Sequence, residues 1–294
     1  MQTESGRLET GQPALVTTVA RLREALAPHR RNGGRIGLVP TMGALHDGHL
    51  SLVRTSKAEC DLTVVTIFVN PSQFGPNEDF QRYPRTLQAD MERLSGCGAD
   101  MVFAPPTEEV YGANHATWVD VNGVAEPLEG QFRPGHFRGV ATIVLKLFNM
   151  AQADVAYFGQ KDFQQVQVVR RMVEDLDVPI AVRVCPTVRE PDGLAMSSRN
   201  VYLSPTARQR ASSLWKGLQL AQQLVNGGER DAERIAGRMR ELIESAGGRI
   251  EYVALADPET LQPVAEVRAP TVAALAVRME GTRLIDNMLL TPSP

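Results

Sequence analysis

From residue 35 onward, short and wholly apolar runs alternate with longer stretches in which apolar residues recur every three or four positions. The first pattern marks a strand buried on both faces, the second a helix that buries one face. They predict strand 35–40, helix 48–59, strand 62–69, helix 85–95 and strand 100–104, then strand 155–158, helix 162–176 and strand 180–185. Such alternation implies a parallel sheet covered on both sides. Ahead of it, helical spacing from Leu15 to Leu26 ends at Pro28 and the Asn32-Gly33-Gly34 turn. In the middle lies a polar insertion with a strand expected at 118–121 and a glycine-rich loop at 129–136. Helix 137–151 follows, with Val140, Ile143, Val144, Leu147 and Phe148 on one face.

Near Thr187 the pattern changes to two helices, 205–226 and 230–246, followed by strands at 249–256, 271–278 and 282–289. Helices and strands segregated in this way predict a small α+β domain. The expected organisation is therefore an α/β domain over 1–186, built on a doubly wound parallel sheet, and a smaller C-terminal α+β domain over 187–294.

Composition narrows the function. At 294 residues and 43% hydrophobic, the chain can bury one large core or two ordinary ones. A formal charge of −3 gives no basic field for a nucleic-acid backbone. No apolar run reaches the length of a membrane span, and the opening MQTESGRLETGQ lacks the apolar core of a signal peptide, so a cytoplasmic location with no membrane partner is expected. Cys60, Cys97 and Cys185 stand singly and read as reduced and structural.

The strongest chemical signal follows the first buried strand, in Pro40-Thr41-Met42-Gly43-Ala44-Leu45-His46-Asp47-Gly48-His49. Free N–H groups at a helix start, with the positive end of the dipole behind them, favour an anion. His46 and His49 add two donors, and Gly43 and Gly48 allow close approach. Capping, or half of a zinc site, are the alternatives; zinc needs a third ligand and usually a carboxylate base. The second strand runs into Phe68-Val69-Asn70-Pro71-Ser72-Gln73-Phe74-Gly75, whose amides suit hydroxyl and carboxylate groups unless they merely form a turn. Downstream, Asp79 and Asp90 could help hold a metal ion, although Asp90 also fits a helix surface charge. Gly159-Gln160-Lys161-Asp162 ends a strand with Asp162 suited to an N-cap and Lys161 to a phosphate. Met196-Ser197-Ser198-Arg199-Asn200 gathers hydroxyls and a guanidinium in a turn-rich segment, either for a triphosphate or as an interdomain linker.

Taken together and in this order, these four blocks closely resemble the pantoate–β-alanine ligase family, from about residue 15 to the Arg283-Leu284-Ile285-Asp286-Asn287 block. They are also similar to the His-x-Gly-His and Lys-Met-Ser-Lys-Ser-type signatures of the nucleotidylyltransferase superfamily, with Met196, Ser197, Ser198 and Arg199 in the second role. The resemblance implies a Rossmann-like fold and two half-reactions. ATP and (R)-pantoate give a bound pantoyl adenylate and pyrophosphate; β-alanine then attacks to give pantothenate and AMP. It implies an ATP site at Met42, Gly43, Ala44, Leu45, His46, Asp47, Gly48 and His49, at Gly159, Gln160, Lys161 and Asp162, and at Val188, Met196, Ser197, Ser198 and Arg199. His49 would be a proton donor and His46 would stabilise the phosphoryl transition state. Gln73 and Gln165 would bind pantoate, and Gln73 also β-alanine. Mg²⁺ would bridge the phosphates with Asp90 as a candidate ligand, and the enzyme would be a homodimer. Gln160 departs from the family, many of whose members carry Glu there. The C-terminal domain, joined near 187, is expected to act as a lid.

A nucleotidyltransferase that stops at nucleotide transfer would want a more basic acceptor pocket. A tRNA-charging enzyme would want an anticodon-binding domain, and a nucleotide sensor would show no turnover. Release of AMP that depends on both pantoate and β-alanine separates the ligase from all three.

Overall fold

A computed structural model describes residues 11–76 and 78–292, so most of the polar opening segment lies outside the described residues. In chain order the elements are Ala14–Val16 (β1), Val19–Arg31 (α1), Ile36–Thr41 (β2), Asp47–Glu59 (α2), Leu62–Ile67 (β3), Leu87–Ser95 (α3), Met101–Phe103 (β4), Thr107–Val110 (α4), Glu129–Phe132 (α5) and His136–Ala151 (α6). They continue as Val155–Gly159 (β5), Phe163–Asp175 (α7), Ala181–Cys185 (β6), Pro205–Asn226 (α8), Ala232–Ser245 (α9), Arg249–Ala256 (β7), Thr271–Met279 (β8) and Thr282–Leu290 (β9). The chain forms two units. The first comprises Met1–Asp120, Arg138–Phe158 and Val169–Cys185; the second comprises Val121–Phe137, Gly159–Val168 and Pro186–Pro294.

The first unit carries a six-stranded sheet in the order β1-β4-β3-β2-β5-β6. The pairs β1–β4, β4–β3, β3–β2 and β2–β5 are parallel. This is the expected Rossmann-like sheet, and its strands are apolar because both faces are covered: Leu38, Val39, Val64, Val65, Val102 and Phe103 are wholly buried. Helix α2 lays Leu50, Leu52, Val53 and Ser56 onto the sheet, and Ser56 Oγ meets Thr63 Oγ1 at 2.7 Å. From β2 the chain builds outward through β3 and β4 on one side, then crosses to β5 on the other. The order therefore reverses at β2 and β5, and open α/β sheets take ligands at the carboxyl ends of such a pair. The loop leaving the end of β2 is the one that carries His46 and His49.

The second unit contains the antiparallel sheet β7-β8-β9. Helices α8 and α9 bury Ala211, Leu214, Leu218, Ile235 and Met239 in one cluster with Leu275 and Val277 of β8. This is the expected α+β arrangement.

Three local expectations fail for identifiable reasons. The spacing from Leu15 to Leu26 conceals a strand and a helix: β1 pairs with β4 at the sheet edge, Thr18 Oγ1 caps α1 by accepting the Arg21 N–H at 3.3 Å, and only then does the helix begin. Pro28 does not end it. An internal proline costs about 3 kcal/mol, and the helix runs on to Arg31 because Leu22 and Leu26 are wholly buried and Arg30 reaches the Ala151 carbonyl. At 118–121 there is no strand; the Val119 N–H donates to Thr142 Oγ1 at 2.9 Å, and the Arg138 guanidinium lies over the Trp118 ring. The glycine-rich loop at 129–136 is largely helical, forming α5 and the first residue of α6.

Candidate active site

The histidine loop is moulded by its own backbone. His46 is the N-cap of α2, and its Nδ1 accepts the Gly48 N–H at 3.2 Å, while His49 Nδ1 accepts the His46 N–H at 3.4 Å. A ring whose Nδ1 is an acceptor is neutral and carries its hydrogen on Nε2. With Nδ1 of each ring facing a backbone N–H, the hydrogen of each imidazole is assigned to Nε2; the ring centroids are 4.1 Å apart. Other amides of the loop are also engaged. Gly43 N–H donates to Thr41 Oγ1 at 3.2 Å, and the N–H groups of Ala44 and Leu45 donate to the Asp90 carboxylate at 3.0 and 2.8 Å. The expectation of free backbone donors at this helix start is thus narrowed: the amides of Gly43, Ala44, Leu45, His46 and Gly48 shape the loop.

Asp90, expected as a helix charge or a metal ligand, is only 1% exposed and also accepts from Thr86 Oγ1 at 3.2 Å. Its two oxygens pin the loop. Gly43 sits at φ +80°, where a Cβ would lie 3.0 Å from Ile67 Cγ2 and 3.1 Å from Asp90 Oδ2, so this position excludes a side chain on both backbone and space. Among the described residues no cluster of three His, Cys, Asp or Glu could hold a metal ion.

Beyond β3, Pro71–Gln73 forms a 3-10 turn capped by Asn70, which is buried. Asn70 Oδ1 accepts from Tyr111 Oη at 2.8 Å and Ser72 Oγ at 2.9 Å, and its Nδ2 donates to Gln73 Oε1 at 3.0 Å and to the Gly139 carbonyl at 3.2 Å. With its oxygen held, Gln73 directs Nε2 to Met42 Sδ at 3.1 Å. Gln73, the histidine loop and Asp90 thus come together in the first unit. Asn70 is both a turn former and the brace of Gln73, and Tyr111, which the sequence did not single out, anchors it.

In the second unit Lys161 and Gln165 line one cleft, together with Glu129, Arg133, His136, Tyr252, Asp286 and Asn287. Lys161 belongs to the 3-10 turn Gln160–Asp162 that precedes α7, with Nζ 3.5 Å from Asp162 Oδ1. The wall opposite the helix start is an ion network. Arg283 donates from Nη1 and Nη2 to the two oxygens of Glu129, each at 2.7 Å, and from Nε to Glu251 at 2.7 Å; Tyr252 Oη donates to Glu129 at 2.8 Å. Burial raises the Tyr252 hydroxyl well above its ordinary range, and Glu129 beside it adds to the rise, so it stays a donor. Burial would also raise the Glu251 carboxyl, but Arg283 and Arg278 bring it below the usual glutamate range. Gln164, the neighbour of Gln165, is structural: it accepts the Glu129 N–H and donates to the carbonyls of Val124 and Pro127.

The segment with Val188, Met196, Ser197, Ser198 and Arg199 is an ordered hairpin and not a linker. Arg189 bridges to Ala195, the Met196 N–H donates to the Val188 carbonyl at 3.0 Å, and Ser197 caps the 3-10 turn Ser198–Tyr202 by accepting the Arg199 N–H at 3.3 Å. At the hairpin tip Gly193, at φ +93°, packs so tightly that a Cβ would lie 1.9 Å from the Trp215 ring. Arg189 lies over the same ring at 3.8 Å.

The first unit thus gathers Met42, Gly43, Ala44, Leu45, His46, Asp47, Gly48 and His49 with Gln73. The second holds Gly159, Gln160, Lys161, Asp162, Gln165 and the hairpin. Sequence reasoning missed Tyr111, Glu129, Arg189, Tyr252 and Arg283 as members of these networks. The pairs Tyr111–Asn70, Arg189–Asp286, Tyr252–Glu129 and Arg283–Glu129 lie 41 to 154 residues apart in the chain, and no local spacing signals such pairs.

The sequence pattern of the family described as pantoate-beta-alanine ligase matches residues 14–289. A curated pantothenate synthetase from Moorella thermoacetica is 52% identical over 277 residues, covering 94% of this chain and 98% of its own. The crystal structure of pantothenate synthetase from Thermus thermophilus superposes with a TM-score of 0.91 at 45% identity, covering 95% of this chain and all of that one. A pantoate-beta-alanine ligase from Francisella tularensis, solved in complex with "Beta-gamma ATP and Beta-alanine", gives a TM-score of 0.77 at 33% identity over 94% of this chain and 97% of its own. The chain belongs to the pantoate–β-alanine ligase family.

Proposed function

We propose that the chain catalyses the ATP-dependent condensation of (R)-pantoate with β-alanine to pantothenate, with release of AMP and pyrophosphate. Family membership over nearly the whole chain supports the overall reaction. The observation that carries the chemistry is the pair of imidazoles locked as Nε2–H donors at the carboxyl end of β2.

In the first half-reaction a pantoate carboxylate oxygen attacks the α-phosphorus of ATP; the new P–O bond forms the adenylate as the bond to pyrophosphate breaks. The protein must orient that attack and stabilise charge moving onto the leaving group. His46 and His49 supply Nε2–H hydrogen bonds, His46 toward the transition state and His49 in the donor role that the family resemblance gives it. Lys161, Ser197, Ser198 and Arg199 take the pyrophosphate charge. Gln73, oriented by Asn70, reads pantoate and meets β-alanine, and Gln165 binds pantoate. In the second half-reaction the β-alanine amine attacks the acyl carbon, the C–N bond forms, AMP departs and the amine loses its proton.

Mg²⁺ would bridge the phosphates as MgATP, with Asp90 the candidate ligand, although both of its oxygens accept amides of the histidine loop. The resemblance supports a homodimer in the cytoplasm; among the described residues no helix is long and apolar enough to cross a membrane. The division into 1–186 and 187–294, the latter as a lid, belongs to this proposal because Ser197, Ser198 and Arg199 lie just past that junction in the chain. The test is pyrophosphate formation with each substrate omitted in turn. Pyrophosphate and AMP that require pantoate, with pantothenate only when β-alanine is present, are expected; turnover without pantoate overturns the reading.

A further inference from the structure

We propose that Asp286 and Asn287 are positioning residues for adenylation: together they tie the turn that carries Lys161 to the hairpin that leads into Ser197, Ser198 and Arg199. The proposal rests on the phosphate-binding role given above to those side chains.

Both connections start from consecutive residues of β9. The Asn287 carboxamide donates from Nδ2 to the carbonyl oxygens of Gln160, at 3.0 Å, and Lys161, at 2.8 Å. These oxygens flank the Lys161 Cα, so one side chain fixes both peptide planes around the lysine and with them the direction in which it leaves the backbone. The Asp286 carboxylate receives a bidentate pair from Arg189 at 2.6 and 2.9 Å. Arg189 also donates to the Gly193 carbonyl at 3.1 Å and stacks on Trp215. The hairpin is therefore held across both its strands and its tip, and its second strand passes directly to Ser197.

Stability alone gives no reason for this pair of residues. Leu284, Met288 and Leu290 of β9 pack in the apolar core, and strand alternation puts Asp286 on their side. A carboxylate there, 3% exposed, is expensive to bury, and an apolar pair in place of a buried ion pair is often as stable or more so. Asn287 adds a second cost, because its Oδ1 is buried without a hydrogen-bond partner. What the two residues supply is a fixed spacing between an ammonium-bearing turn and a hydroxyl-bearing hairpin. A displacement of about 1 Å at such groups can cost on the order of 10²-fold in rate.

Asn287→Asp keeps the shape and removes both donors. We expect it to lower kcat for pantoate-dependent pyrophosphate formation by about 10²-fold, with the KM for β-alanine in the overall reaction unchanged. In a Lys161→Ala background the same substitution should cost less than about threefold, because the group it positions is gone. Equal losses in both backgrounds, or a lower melting temperature with kcat intact, overturn the proposal. Should Asn287→Asp not fold, Asn287→Ala removes the donors without adding charge and is judged by the same two comparisons. A Lys161→Ala enzyme that forms pyrophosphate at the unmodified rate is a different failure: it removes the phosphate role of Lys161, and this proposal with it.

Discussion

His49 accepts the backbone N–H of His46 on its Nδ1 while His46 accepts that of Gly48, so the two imidazoles are oriented by the same three-residue stretch of backbone and by each other. Removing either ring leaves an amide of the loop without its acceptor and disturbs the other. His46→Ala and His49→Ala are each expected to slow pyrophosphate formation by about 10²-fold or more. The double variant should cost clearly less than the product of the two, as for residues that act as a unit. Strictly multiplicative losses, measured in the same assay, would show that the rings act separately.

Asp90 satisfies two buried amides at once. Asp90→Ala orphans both, and each donor left unpaired costs about 1–3 kcal/mol, so a loss of roughly 2–6 kcal/mol in urea unfolding is expected. Asp90→Asn keeps one acceptor and should fall between. An Asp90→Ala protein with an unchanged midpoint would refute the anchoring role.

Asn70 holds the oxygen of Gln73 and thereby aims its amide. In Asn70→Ala that amide can turn over, and the expected result is a rise of about tenfold in the KM for pantoate, equivalent to roughly 1.4 kcal/mol of lost orientation. Tyr111→Phe, which removes one of the donors to Asn70, should shift KM in the same direction by less. Unchanged pantoate KM in both variants counts against Gln73 as a substrate contact.

Glu251 titrates below the usual glutamate range because Arg283 and Arg278 outweigh the effect of its burial. A carboxyl whose folded pKa is depressed stabilises the protein above its unfolded pKa, about 4, and that contribution disappears as pH falls through the folded value. Glu251→Gln is expected to lose roughly 1.5–3 kcal/mol at pH 7, with the gap to the unmodified protein narrowing steadily below about pH 4. A gap of constant size across this range in urea unfolding would exclude the linkage.

Strands such as Ile36–Thr41 and Leu62–Ile67 were legible from sequence because a strand buried on both faces is apolar over most of its length, and α8 because its apolar spacing persists for 22 residues. Short pieces were not. The three residues of β1 are apolar enough to pass as the first turn of α1, and only pairing with β4 identifies them as strand. The histidine pair was recognisable by its glycines, but not the use made of Nδ1, which depends on how the backbone turns at His46. Asp90 carried a charge that fits a helix surface equally well; its burial follows from where α3 packs. Likewise, nothing near Asp286 in the chain announces Arg189, 97 residues earlier.

Because Nδ1 of each imidazole is spent on the loop's own backbone, the two rings would meet a nucleotide as dipoles without net charge. Mobile ions screen charges far more than they screen short-range hydrogen bonds between neutral donors and a phosphate. Ionic strength should therefore discriminate between the two halves of the machinery, eroding what Lys161 and Arg199 contribute while leaving the share of the paired imidazoles almost untouched.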